Sequence, residues 1–317
     1  MSCKIILTRD HDGRRLDRTI RSIWPFLPLS AVMGGLRRGE VRLDALKVRE
    51  GGTRVHEGQE LYVPWEEPGG EPVIPNRGKV PVIWKGEQAV VVDKPADLTV
   101  QPDVKGGDSV ISRIWTMYGA GGQGFSPAAV HRLDRNTTGV LIVALTGKGL
   151  RELERLFRER QVRKRYLAVV VGELPERGLA EAPLLKDEAS NTVRVAAGGK
   201  TAKTRYRRLA SSGDLSLASI EILTGRTHQA RVHMAYIGHP ILGDRKYGDR
   251  GTNRLRKFEA PRPLLHAREL SFPPGLSGTL TELAGRTFRA ELPADMRRVF
   301  EKEGWKIDLD LLDRDDK

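Results

Sequence analysis

Apolar positions along the chain recur with two different periods, and each change of period marks an element. In GRRLDRTIRSIWPFLPLSAVMGGLRRGEVRLDALKV, Leu16, Ile20 and Ile23 fall at helical spacing, with Asp17, Arg18 and Arg21 between them. The stretch predicts two short helices, the second N-capped by Ser30 and ended at Gly39. GEVRLD and GQELYV then read as short strands. Further on, QAVVVDKP, RYLAVVVGEL, TAKTRYRRLA, LASIEIL and GTLTELA also read as strands. In TGKGLRELERLFRER, Leu150, Leu153, Leu156 and Phe157 make an apolar stripe on an otherwise charged helix. The run from Val140 to Val143 is apolar and largely β-branched, as in a buried strand.

Five prolines and repeated glycines between Pro64 and Pro81 exclude regular structure and predict a linker over 64–81. A small basic segment, 1–63, precedes it; a larger one, 82–305, follows and leads to an acidic tail, 306–317. Many strands with few intervening helices predict an α+β fold, with a mixed, mainly antiparallel sheet flanked by helices and a small α/β module in front. No internal repeat is visible.

Charge narrows the partner. The 317 residues are 39% hydrophobic, enough for one large core and a small extra module, yet the formal charge is +13. Such an excess of Lys and Arg points to a polyanion, most simply nucleic acid. No apolar run approaches the roughly 20 residues of a membrane span. The start, MSCKIILTRDHDGRRLDR, lacks the apolar core of a signal peptide, so the expectation is a cytoplasmic monomer without membrane contact. A single cysteine, Cys3, excludes intramolecular disulfides and Cys-based zinc clusters.

Several chemical motifs fail on context. GAGGQG, 119–124, formally fits a dinucleotide fingerprint but follows IWTMY rather than a clean strand, and reads as a loop. TGKG, 146–149, lacks the spacing of a phosphate loop. His228 and His233 are five apart and do not share a helical face, so no metal is expected. There is no G-x-S-x-G nucleophile elbow. What remains is HRLDRNTTGVLIVA, in which Asp134 stands between Arg132 and Arg135 at the mouth of a buried strand. A solvated loop would give the same pattern; alternatively, nearby cations favour the ionised carboxylate that a nucleophile or base requires. Lys203, Arg205 and Arg207 alternate in a stretch without acids and could line one strand face as a phosphate track, or serve only as a solubilising face. His131 joins Arg132 as a candidate RNA contact.

HRLDRNTTGVLIVA resembles the central motif of the RluA-type pseudouridine synthases, H-R-L-D-x-x-T-S-G followed by an apolar strand. VVVDKPADLTVQP, KRYLAVVVGEL, GRTHQARVHMAYIGHPILGDRKYG and LLHARELSFPP resemble four further family segments in order and spacing, so the likeness covers about residues 80–300. Asp97 stands for a glycine, Gln101 for a histidine and Thr138 for a serine. The N-terminal segment is similar to the S4 RNA-binding module, with Ala31 where an arginine is common and Asp44-Ala45 where Asn-Gly is common. The resemblance implies an isomerase that converts uridine to pseudouridine in RNA without a cofactor. It implies large-subunit ribosomal RNA as substrate, transfer RNA being the runner-up; a non-catalytic S4-type RNA-binding protein is the reading from another class. It also implies that Asp134 is the essential carboxylate, which either attacks C1′ or removes the 2′ proton. Arg231 would pair with it, Tyr166 would stack on the flipped base, and Arg132 would fill the vacated gap.

Overall fold

The computed structural model describes residues 3–24, 27, 29–65, 78–102, 107–119, 125–187 and 190–306. Most of the expected linker, the glycine-rich loop after Gly119 and the acidic tail from 307 lie outside the described residues.

The first module comprises β1 (Cys3–Ile6), α1 (Leu16–Ile23), α2 (Leu29–Arg38), β2 (Arg42–Leu43), β3 (Leu46–Lys47) and β4 (Glu60–Val63). Its strands pair antiparallel in the order β1-β4-β2-β3. Leu16, Ile20 and Ile23 of α1 bury their shared face with Val32 and Leu36 of α2 and with Leu43 and Leu61 of the sheet. Helix α2 starts one residue ahead of Ser30, so Ser30 sits in its first turn rather than at the N-cap. Gly39, at φ +69°, ends that helix in the left-handed region that glycine enters without steric cost.

The larger unit runs through β5 (Val82–Lys85), β6 (Ala89–Lys94), α3 (Val110–Tyr118), β7 (Ala128–Ala129), β8 (Thr138–Ala144), α4 (Gly147–Arg158) and β9 (Arg163–Val171). It continues with β10 (Arg177–Glu181), β11 (Leu184–Asp187), β12 (Thr192–Val195), β13 (Lys203–Ser211), β14 (Leu215–Ile222) and α5 (Gln229–Tyr236). Helix α6 (Arg250–Leu255), β15 (Leu265–Ser271), β16 (Thr287–Arg289) and α7 (Ala294–Lys302) complete it. One sheet holds β10-β13-β14-β9-β15-β8-β6-β5, with β16 beside β15 and β7 beside β8, while β11 and β12 form a separate hairpin. Among the described pairs only β8–β15 is parallel, which makes the sheet mixed and mainly antiparallel. GTLTELA, expected as a strand, is instead a 3-10 turn over Gly278–Leu283. Its buried residues Leu280 and Leu283 lie three apart, a helical interval that the intervening threonine and glutamate disguised as alternation.

Strand β8 is buried along its whole length. Leu141 and Val143 face the core that includes Tyr166 and Met234, while Val140, Ile142 and Ala144 face the one beneath α4. An uninterrupted apolar run is what a strand covered on both faces requires. At its start Gly139 has φ +110°, and a Cβ there would lie 2.1 Å from the carbonyl oxygen of Ala267 on β15. Only glycine permits that approach, which brings the Asp134 loop against the centre of the sheet.

The first module is seated on the second. Arg151 of α4 donates to the carbonyl of Asp10 at 3.2 Å, Ser126 Oγ donates to the carbonyl of Ser22, and the Arg14 guanidinium lies 5.4 Å from the Phe125 ring centroid. The TGKG stretch lies at this seam. Thr146 caps α4 by accepting from Gly149 N–H at 3.0 Å, and a Cβ on Gly147 would meet the Asp10 carbonyl at 2.3 Å.

Candidate active site

Asp134 occupies the turn ahead of β8, closed by the Thr137 N–H donating to the Asp134 carbonyl at 3.0 Å. Two buried cations grip the next two carbonyls of that turn. Lys94, at the end of β6, is 0% exposed and donates to the carbonyls of Pro95, Leu98 and Arg135 at 2.8, 2.7 and 2.8 Å. Arg262 Nη1 donates to the Asn136 carbonyl at 3.1 Å, and its charge is answered by Asp295 at 2.8 Å. Burial and the neighbouring Arg262 charge push Lys94 down to about 7, against the pull of Asp134 and Asp97.

The cation on Asp134 comes from far along the chain. Arg231, in the first turn of α5, donates through Nη1 to Asp134 Oδ2 at 2.9 Å. Its other face is locked to Asp244 by bonds of 2.7 Å from Nε and 2.8 Å from Nη2. Burial opposes the Arg231 charge, but the two carboxylates outweigh it and hold the guanidinium well above its ordinary value. Burial would likewise raise Asp244, yet Arg231 and the amides of Lys246 and Tyr247 hold its carboxyl below the usual range. The Tyr247 ring lies under Arg231, 5.1 Å from the guanidinium carbon.

Tyr166, on the central strand β9, lines the same cleft as Asp134, an open space of about 1390 Å³. Burial and the Asp134 charge both push its hydroxyl up, so it stays protonated at neutral pH. His228 Nε2 lies 3.8 Å from Asp134 Oδ1.

The remaining predicted contacts are placed differently. Arg132 is exposed on the cleft wall. Arg135 pairs with Asp97 at 2.8 Å, and Asp97 adopts φ +58°. His131 stacks on Phe157 with ring centroids 4.8 Å apart, and its Nε2 accepts from Ile142 N–H at 3.3 Å. Burial, with a smaller push from Lys164, lowers it to about 3, so it brings no positive charge to a phosphate. Lys203 and Arg205 do share a strand face, but each is matched by an acid, Glu181 at 2.8 Å and Glu221 at 2.7 Å; Arg207 follows on the same face. Lys94, Asp244 and Arg262 were not singled out from sequence, and His228 was weighed there only as a metal ligand. Lys94, Asp244 and His228 do lie inside conspicuous motifs, and a charged residue next to a strand-forming apolar run was the available signal.

The chain matches the family model described as RNA pseudouridylate synthase over residues 88–236. It is 34% identical over 281 residues to ribosomal large subunit pseudouridine synthase C of Vibrio cholerae, covering 84% of this chain and 88% of that protein. Against ribosomal large subunit pseudouridine synthase C of Escherichia coli K12 the identity is 33%, covering 95% of this chain and 97% of that protein. Among solved structures, human RNA pseudouridylate synthase domain containing 4 superposes with a TM-score of 0.57 at 26% identity, covering 72% of this chain and 94% of that one.

Proposed function

This chain belongs to the RNA pseudouridylate synthase family, in its RluA-type branch, and from that premise we propose that it isomerises uridines of large-subunit ribosomal RNA with Asp134 as the essential carboxylate. The reaction breaks the N1–C1′ bond of uridine, turns the base, and joins C5 to C1′. The C5 hydrogen leaves and N1 takes one up, so no atom is gained or lost. The observation that carries the reading is Asp134 held by Arg231 at 2.9 Å in a cleft that Tyr166 also lines. The ion pair aims the carboxylate at the cleft, where it can act on the ribose of a nucleotide taken out of its stack. Tyr166 offers its ring as a stacking surface for the uracil, a contact worth roughly 1–3 kcal/mol per base. Arg132, exposed at the rim, is available to the gap that the base leaves. The ribosomal substrate is supported by the names of the relatives, which match along nearly their whole length. The N-terminal module, by its basic surface and its resemblance to S4, is read as a second RNA contact within a protein that works as a cytoplasmic monomer.

The test is Asp134→Asn, which keeps size and most hydrogen bonding while removing the charge. Turnover of uridine in a ribosomal RNA fragment disappears, and RNA affinity changes little because phosphate contacts supply most of it. An Asn variant that forms pseudouridine near the normal rate rejects the assignment.

A further inference from the structure

Arg231 occupies one oxygen of Asp134, and the other, Oδ1, faces an imidazole whose own bonds are unusually constrained. His228 precedes α5 with φ +53°, a left-handed backbone that few side-chain-bearing residues adopt. Its Nδ1 lies 2.7 Å from the Tyr247 hydroxyl oxygen. That same oxygen accepts the Val193 N–H of β12 at 2.9 Å. The hydroxyl has one hydrogen to give, and Nδ1 is the acceptor placed to take it. The reverse arrangement, with Nδ1–H donating, would give the phenol oxygen two donors and leave its own hydrogen without a described acceptor. It would also turn the lone pair of Nε2 toward a carboxylate oxygen 3.8 Å away.

Both constraints on the ring select one tautomer. We propose that His228 is a positioning residue for Asp134, locked by Tyr247 as the neutral Nε2–H form so that it presents a donor, and no charge, to Oδ1. The proposal rests on the reading that Asp134 carries the reaction. At 3.8 Å a neutral N–H favours Oδ1 electrostatically without bonding it and leaves the carboxylate its charge; an imidazolium would pair with it and blunt it. The groups around the ring are Asp134, Arg231, Asp244, Lys246 and Tyr247, with Lys186 of β11 on the same cleft wall. Burial lowers the ring's proton affinity, with Asp134 opposing and Arg231 and Lys246 assisting, and so keeps it neutral. The chain from Val193 through Tyr247 and His228 also ties the β11–β12 hairpin to the reacting carboxylate.

Protein labelled with 15N-histidine tests this directly, with His228→Gln identifying the His228 ring signals. The expected spectrum of the free protein at pH 7.5 shows His228 protonated at Nε2 and bare at Nδ1. Tyr247→Phe removes the bond that supports the neutral ring, so the acid limb of the kcat–pH profile moves up by about one pH unit. His228→Leu lowers kcat by about 10-fold or more with KM little changed. His228→Gln, which retains an N–H donor but cannot titrate, recovers part of that loss and flattens the acid limb. Thermal melting of each variant separates these effects from unfolding. A His228 that carries its proton on Nδ1, or a folded Leu variant with parental kcat, overturns the proposal. The tautomer is measured without turnover, so an active Asp134→Asn enzyme would remove the underlying reading and leave the spectroscopic result standing.

Discussion

Asp244 prepares the cleft before any RNA arrives. It is 1% exposed at the side chain and anchors two nitrogens of Arg231, which leaves Nη1 aimed at Asp134. Breaking a buried ion pair from one side strands the other charge, at a cost of about 3–5 kcal/mol. Asp244→Asn therefore destabilises the fold far more than Asp134→Asn, which leaves Arg231 with its main partner; urea unfolding of the two variants reads the difference. Equal stability losses would mean that Arg231 depends on both acids alike. The asymmetry explains what was legible here. Asp134 could be picked out as a lone acid at a strand mouth, because that is a local pattern. Asp244 and Lys94 carry no comparable local pattern, since their burial arises only when distant segments close over them. Of the arginines beside Asp134 in sequence, Arg135 pairs with Asp97, and the carboxylate is held by Arg231, the partner that the resemblance implies.

At the scale of elements, period-two runs and helical stripes located β6, β9, β13, β14, α1 and α4, because one or both faces of each meet a core. The short strands β10 to β12 were not visible, and GTLTELA was misread, because so few positions cannot separate an alternating pattern from a three-residue interval. The β2–β3 hairpin shows a local rule broken and tolerated. Its two turn residues, Asp44 and Ala45, both take positive φ, +49° and +67°. Asp44 is compensated by accepting from Glu60 N–H and Gln59 Nε2, each at 2.8 Å, whereas alanine has no side-chain polar group with which to compensate. Ala45→Gly is expected to stabilise the N-terminal module by about 1 kcal/mol, observable as a higher thermal midpoint. A lower midpoint would show that the turn is not strained at that residue.

For the whole molecule, acid sensitivity between pH 6.5 and 4 comes from histidines in separate regions, which together outweigh the opposite contribution of Asp93, raised by burial to about 6. Burial lowers His11 to about 4, and His131 and His266 to about 3. Unfolded, each titrates near its ordinary 6.5. Below that value the unfolded chain binds more protons than the folded one, so stability falls as pH drops from about 6.5 toward 4. Each histidine contributes up to about 1.4 kcal/mol per pH unit, which denaturant titrations at pH 7, 6 and 5 resolve. A flat profile over that range would mean that the rings are hydrated. A larger consequence comes from the way the first module rests on α4 through Asp10, Ser22 and Arg14. A module on a loose string only raises local concentration, whereas one seated on its neighbour would, as the second RNA contact proposed above, work as a caliper, with one jaw on the RNA and the other at Asp134. Removing residues 1–75 should raise the RNA concentration needed for half-maximal rate and leave the saturated rate nearly intact. Lengthening the chain between residues 70 and 71 by a few Gly-Ser repeats should change neither quantity, because the seam and not the string sets the gap. Arg151→Ala, which loosens the seam, should broaden the set of uridines modified, as pseudouridine mapping would reveal. On this view the distance from a structural landmark to the target uridine is written into the seam between the two modules.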